Sequence, residues 1–222
     1  PYVRVLEQLA TLRRCMTRNE LIAAGGFEDN GSFSDILKDL EWCGFIRSYT
    51  MMGNKVKDTL FQLIDHYTLF YYDFVKEQRH TSNYWQTMIG KPQYNTWCGL
   101  AFERVCLWHT EQIKIKLGIS GIATSEYAWR KIKNDTSPGA QIDLLIDRSD
   151  GIIDLCEMKF SQAEYSITVE DIEDIRRKQS VFETATRTNS AVHTVMVTTY
   201  GIADNSYRNE IQNEVTLKDL ML

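Results

Sequence analysis

Residues 141–160 limit what this chain can fold into more than any other stretch. Gln141–Asp147 and Ile152–Phe160 both read as strands, and Ser149-Asp150-Gly151 between them suits a three-residue hairpin loop, with Gly151 where a left-handed backbone is needed. Side chains alternate between faces along a strand. Ile142, Leu144 and Ile146 therefore share one face, and Asp143, Leu145 and Asp147 the other. On the second strand Ile153, Leu155, Glu157 and Lys159 lie together. Centring the turn on Asp150 pairs Arg148 with Ile152 and, counting outward, Asp143 with Glu157. Directly opposed residues have β-carbons ~4.5–5.5 Å apart, and like charges there are destabilising. Two facing carboxylates among Ile, Leu, Cys and Met thus call for positive charge. Lys159 supplies one unit. A divalent cation would supply the rest, since Mg²⁺ prefers hard oxygen ligands and often takes one or two carboxylates with waters. The plainer alternative is a surface ion-pair ladder, which contributes little, and the apolar flanks weigh against it. Asp147, next to the turn, and Asp154, on the face away from Glu157, are weaker candidates.

Upstream, Val5, Leu6, Leu9 and Leu12 form a helical stripe within Tyr2–Arg14. Thr17 with Glu20 has capping-box spacing and opens a short helix that stops at Gly25-Gly26. Ser32 or Ser34 can cap a third helix carrying Ile36, Leu37 and Leu40. Phe45–Tyr49 and Thr59–Ile64 flank a polar turn at Gly53-Asn54 and read as a β-hairpin. Three helices followed by a two-stranded wing is the order of a winged helix-turn-helix, expected over residues 1–64. Asp65–Gln78 is aromatic and helical in period, a connecting helix. Gly90-Lys91-Pro92 is the clearest break, so residues 65–93 read as connector and linker and 94–222 as a second domain. There a long helix is expected from Thr96 to about Leu117, with Trp97, Leu100, Ala101, Val105 and Trp108 buried. Further expectations are a strand at Tyr127–Ile132, a loop at 134–139, a helix at Thr168–Ala185, a β-branched strand at Ala191–Thr199, a helix near Tyr207 and a short strand at Val215. The whole is an α+β or α/β chain with a mixed sheet flanked by helices.

The chain has 222 residues and a net charge of −5, so a basic, dedicated DNA-binding surface is not indicated by the balance. An acidic catalytic site is compatible with that charge. No apolar run is long enough to span a bilayer and no signal segment opens the chain, which points to a cytoplasmic protein without a membrane partner. The chain starts at Pro1 inside an amphipathic pattern, as a piece of something longer would. The five cysteines form no zinc spacing and read as reduced and buried, and the four histidines are scattered.

Asp143 followed on the next strand by Glu157-Met158-Lys159 resembles the D…(D/E)xK signature of the PD-(D/E)XK nuclease superfamily. Ile142 stands where the family name has Pro. Glu103, in Gly99-Leu-Ala-Phe-Glu103, matches the acidic residue the family places on the helix before the sheet. Gly44-Phe-Ile-Arg47, Leu63-Ile-Asp65 and Leu69-Phe-Tyr71, together with these motifs, resemble the C-terminal region of prokaryotic AAA- or STAND-like ATPases, in which a winged helix precedes a DUF234-type nuclease-like domain. No GxxxxGK phosphate loop occurs, so ATP would be bound only by an upstream ATPase module. The resemblance implies a restriction-endonuclease-like domain in which Asp143 and Glu157 bind Mg²⁺ or Mn²⁺. Glu103 is then an outer ligand or water-positioning carboxylate, the Met158 carbonyl a further ligand, and Lys159 the group that orients water or offsets phosphate charge. Gln179, Lys178 and Arg176 on the later helix could face this site, against the alternative of a solvated helix face. Trp129, Arg130 and Lys131 could touch DNA or simply pack the strand edge.

The third helix carries Asp35, Lys38, Asp39 and Glu41, which would repel a phosphate backbone. Either Lys55 and Lys57 of the wing lead the contact, or the first module docks protein. Two function classes follow: a metal-dependent nuclease under ATPase control acting on nucleic acid, or a catalytically silent nuclease-like fold serving as an interaction module. A transcription factor would need a basic groove-reading surface that the sequence does not offer. Self-association is left open.

Overall fold

The computed structural model describes residues 1–12, 14–50, 52, 59–76, 83–133 and 138–221. The expected wing turn at Gly53-Asn54 with Lys55 and Lys57, the end of the expected connecting helix at Glu77-Gln78, and residues 134–137 of the expected loop lie outside these. The chain divides into two compact units, Pro1–Trp97 and Cys98–Leu222.

In the first unit, α1 (Tyr2–Leu12) presents Val5, Leu6, Leu9 and Ala10 to the core. A two-residue strand β1 (Met16–Thr17) leads into α2 (Arg18–Gly25). Thr17 caps that helix: its hydroxyl accepts from Glu20 N at 3.2 Å, and Glu20 Oε2 accepts from Thr17 N at 2.7 Å, the reciprocal pair its spacing predicts. α3 (Gly31–Trp42) is capped by Asn30, whose side chain accepts from Phe33 N at 3.1 Å; the two serines expected in that role lie inside the helix. β2 (Ile46–Tyr49) and β3 (Leu60–Leu63) pair antiparallel, Ile46 against Leu63. β1 pairs with the other edge of β3, making a three-stranded sheet in the order β1-β3-β2. That third strand is too short to leave a periodic trace in sequence.

The connecting stretch begins with α4 (His66–Phe70), capped by the Asp65 side chain on Thr68 N at 2.7 Å. It continues as a π-helical turn over Tyr71–Val75, closed by Lys76 N donating to Tyr71 O at 2.8 Å. On a short helix α5 (Tyr84–Met88), which the sequence pattern does not announce, Trp85 stands edge-on to Phe70 and Phe74 with ring centroids 5.1 and 5.4 Å away. Trp97 joins the same group at 5.8 Å from Phe70. The aromatic density of this stretch thus builds a small core of its own.

α6 (Pro92–Trp108) crosses the boundary between the units, and α7 (Thr110–Leu117) follows a break at His109. One long helix was expected here. The buried positions also differ from the expected stripe: Cys98, Phe102, Cys106 and Leu107 are inside, whereas Trp108 is 57% exposed. The buried stripe is rotated from the one the tryptophans mark, because two of its residues are cysteines, which pack as small apolar groups.

The second unit is an α+β arrangement around a mixed five-stranded sheet. Its strands are β4 (Thr124–Lys131), β5 (Ala140–Arg148), β6 (Ile152–Lys159), β7 (Ala191–Thr198) and β8 (Asn213–Thr216), in that spatial order. β4, β5 and β6 form an antiparallel meander, and β7 and β8 add in parallel. β6 connects to β7 through α8 (Val169–Thr186), as a parallel pair requires a crossover. Leu144, Leu145 and Ile146 are all buried, so both faces of the central strands are covered. Over one face lies α8, with Ile172 and Ile175 packed against Met196. On the other, Lys114 of α7 pairs with Glu126 of β4 at 2.8 Å. A single 3₁₀ turn at Arg208–Glu210 stands where a helix near Tyr207 was expected, and a last short helix α9 (Leu217–Leu220) follows β8. No helix of the described residues is long and apolar enough to cross a membrane.

Candidate functional site

The hairpin forms as its residues dictate. Gly151 has φ +84° and its N–H donates to Arg148 O at 3.2 Å, closing the Ser149–Gly151 turn. The ladder pairs Asp147 with Ile153, Ile146 with Asp154, Leu145 with Leu155 and Leu144 with Cys156. The ladder ends there, because β5 carries an irregularity between Ile142 and Leu145; the Glu157 charge nevertheless acts on the Asp143 carboxyl of the neighbouring strand. Glu157, paired with Met196, lies on the face covered by α8, with Lys159 two residues beyond it on the same side.

The immediate surroundings hold more positive charge than the hairpin alone supplies. Glu157 Oε1 is 3.3 Å from Lys159 Nζ, and Glu157 Oε2 accepts from Lys178 Nζ at 2.7 Å. The Glu157 and Lys178 side chains are 13% and 14% exposed, so this is no solvated surface pair. Lys178 also reaches Asp174, one turn earlier on α8, at 3.1 Å. Lys159 is shared with Asp171 Oδ1 at 3.3 Å. Asp171 is itself fixed: Tyr165 Oη donates to both of its oxygens at 2.9 Å, and Thr168 N and Oγ1 donate to Oδ2 at 3.0 and 2.8 Å. Asp143 Oδ1 accepts from Gln141 Nε2 at 2.7 Å.

The titration directions follow from this crowding. Burial pushes the Asp143 carboxyl above its ordinary value and the Glu157 charge adds to that, against the Gln141 hydrogen bond and the charges of Lys178 and Arg104. Burial works against the ammonium of Lys178, yet Glu157 and Asp174 hold its pKa above the usual lysine value. Lys159 is likewise penalised by burial and held up by Glu157 and Asp171. Burial also opposes the Asp171 charge, but the Thr168 and Tyr165 hydrogen bonds and Lys159 bring its pKa below the ordinary aspartate value.

Of the residues singled out in sequence, Asp143, Glu157, Lys159 and Lys178 come together. Glu103 is half-buried on α6, and its charge is felt at Cys106. Among the described residues no three Asp, Glu, His or Cys side chains converge to hold a metal ion, so Glu103 does not complete an acidic trio with Asp143 and Glu157. The next residue, Arg104, is buried to 2% exposure and donates to Leu100 O at 2.6 Å. Gln179 donates to Glu183 at 3.0 Å and Arg176 pairs with Glu210 at 2.7 Å, so of the three polar helix residues Lys178 is the one bonded to Glu157. Trp129 is buried with its ring 5.2 Å from Phe182, which makes it a packing residue. Asp171 and Tyr165 were not anticipated. Thr168 three residues before Asp171 is a capping spacing that marks the helix start, and the capping box is present.

As donors, Asp143 and Glu157 present hard carboxylate oxygens from adjacent strands, a set that suits Mg²⁺ or Mn²⁺ with waters completing the shell. The class that fold and site define is therefore a mixed α+β unit with a carboxylate–lysine cluster on one covered sheet face. The chain matches no protein-family model, and no curated protein is similar to it.

Proposed function

We propose that the second unit is a metal-dependent phosphodiesterase of the PD-(D/E)XK, restriction-endonuclease-like type, acting on nucleic acid. The observation that supports this reading is the β5–β6 hairpin, which carries Asp143 and Glu157 on neighbouring strands, with Lys159 paired to Glu157 and the Glu157 charge acting on Asp143. A divalent cation bound there would polarise the scissile phosphate and lower the pKa of a water. Asp143 and Glu157 would hold it through carboxylate oxygens. Lys159, steadied by Asp171, offers a fixed positive charge to the phosphate as negative charge builds on it. In the same reading the first unit is a winged helix, and both belong to the C-terminal region of a prokaryotic ATPase, where ATP is handled upstream. Cleavage of plasmid and single-stranded DNA and of RNA with Mg²⁺ or Mn²⁺ tests the proposal. Asp143→Ala and Lys159→Ala should each lower the rate by ~10²–10³-fold, the scale of losing one charge-stabilising group, with unchanged circular dichroism. Full activity in either variant rejects the assignment.

A second reading, a silent nuclease-like fold used for protein interaction, is favoured by one observation. Both oxygens of Glu157 are already engaged by ammonium groups.

A further inference from the structure

With Lys159 alone, Asp143 and Glu157 would be short of one positive charge, and the protein itself supplies it. Lys178 Nζ lies 2.7 Å from Glu157 Oε2, while Lys159 takes Oε1 at 3.3 Å. An ammonium hydrogen-bonded to Glu157 Oε2 competes with a cation for that oxygen. Lys178 holds a second partner at the same time, Asp174 Oδ2 at 3.1 Å on its own helix. The Asp174 side chain is 38% exposed against 13% for Glu157, so Asp174 is the wetter of the two.

We infer that Lys178 is a latch on the candidate metal site, holding Glu157 in the metal-free protein and withdrawing to Asp174 alone when a divalent ion binds Glu157. This rests on the nuclease reading above. No bond is made or broken in the exchange; one ammonium and one dication trade places on a carboxylate. The site then discriminates by charge. A monovalent ion only matches the ammonium it must displace, whereas a divalent ion is attracted to Glu157 and Asp143 twice as strongly. Residence of Lys178 on Glu157 also weakens metal binding by the fraction of molecules in which the latch is closed.

Two substitutions move the affinity in opposite directions. Lys178→Met removes the competitor and should tighten Mn²⁺ binding at least tenfold in calorimetric titration of the full chain. Asp174→Asn removes the alternative seat, so it should weaken Mn²⁺ several-fold although it lies off the ligand set. General loosening of the fold would move both the same way. Adding Asp143→Ala to Lys178→Met should erase the gain, tying it to this site. Mn²⁺ affinity that is equal or lower in Lys178→Met, in a wild type that does bind, overturns the latch and leaves the metal reading standing. A gain that survives Asp143→Ala also overturns it. Absence of Mn²⁺ binding at millimolar metal in both wild type and Lys178→Met overturns the metal reading, and the latch with it.

Discussion

Asp154 has no exposed surface; one of its carboxylate oxygens is 3.4 Å from Arg148 Nη1, and the other has no hydrogen-bond partner among the described residues. Burial raises its pKa, and the charges of Arg148 and His193 pull it back only in part. Removing one partner of such a buried pair leaves an uncompensated charge inside. Arg148→Met should therefore cost about 3 kcal/mol at neutral pH, measured by urea unfolding. A carboxyl whose folded pKa is raised favours its protonated form in the fold, so its ionised form becomes a liability as pH rises through that value. The cost of Arg148→Met should accordingly shrink as pH falls through the raised Asp154 pKa toward about pH 4. A penalty constant with pH would show that Arg148 acts through its packing or through Asp150. At this same scale the Ser149–Gly151 turn and the closeness of Glu157 to Lys159 were legible, because a tight turn and strand alternation dictate both; the irregularity in β5 beside Asp143 was not. Lys178 was reachable only as one of three polar residues on a helix, since nothing in a single sequence says which side of that helix meets the sheet. Arg104 could not have been expected inside, because arginine is rarely buried this fully.

Among the elements, the hairpin depends on its turn. A Cβ added at Gly151 meets nothing within 4 Å, so Gly151→Ala would be opposed by the backbone alone. Its left-handed conformation should cost about 1–2 kcal/mol for a residue with a side chain, seen as a lower urea midpoint. A larger loss would mean the register itself slips. α8 depends on its start. Thr168 and Asp171 exchange hydrogen bonds there, so Thr168→Ala should cost about 1 kcal/mol. It should also free Asp171 from one of the donors that position it beside Lys159. A Thr168→Ala protein with unchanged stability would show that the capping box is not formed in solution. Element type was mostly legible wherever hydrophobic period and caps agreed, as in α2 and β5–β6. It failed where the chain turns without a punctuating residue, as at His109 between α6 and α7, and where an element is only two residues long, as in β1.

The molecule as a whole carries −5, and the candidate site is itself acidic. Without a bound cation, long-range attraction to a polyanion is therefore weak. Fluorescence anisotropy with a short duplex in EDTA should give affinity no tighter than ~10⁻⁴ M at physiological salt, the weak end of non-specific binding. Ca²⁺ should improve it, and Asp143→Ala should remove the improvement. Tight binding in EDTA would count against the proposed role of this site. The mixed α+β class could be anticipated from the order of elements. The parallel placement of β7 and β8 could not, because it is made by partners distant in sequence. That placement has a kinetic consequence. The β5–β6 hairpin needs only a tight turn, and such hairpins close in ~1–10 μs. Lys178 arrives only when the α8 crossover docks and β7 zips alongside β6, a non-local event of the slow kind. A nascent chain thus passes through an interval in which its two neighbouring carboxylates share a single ammonium, so divalent salt should quicken refolding of this unit by screening a repulsion the finished protein neutralises with its own helix.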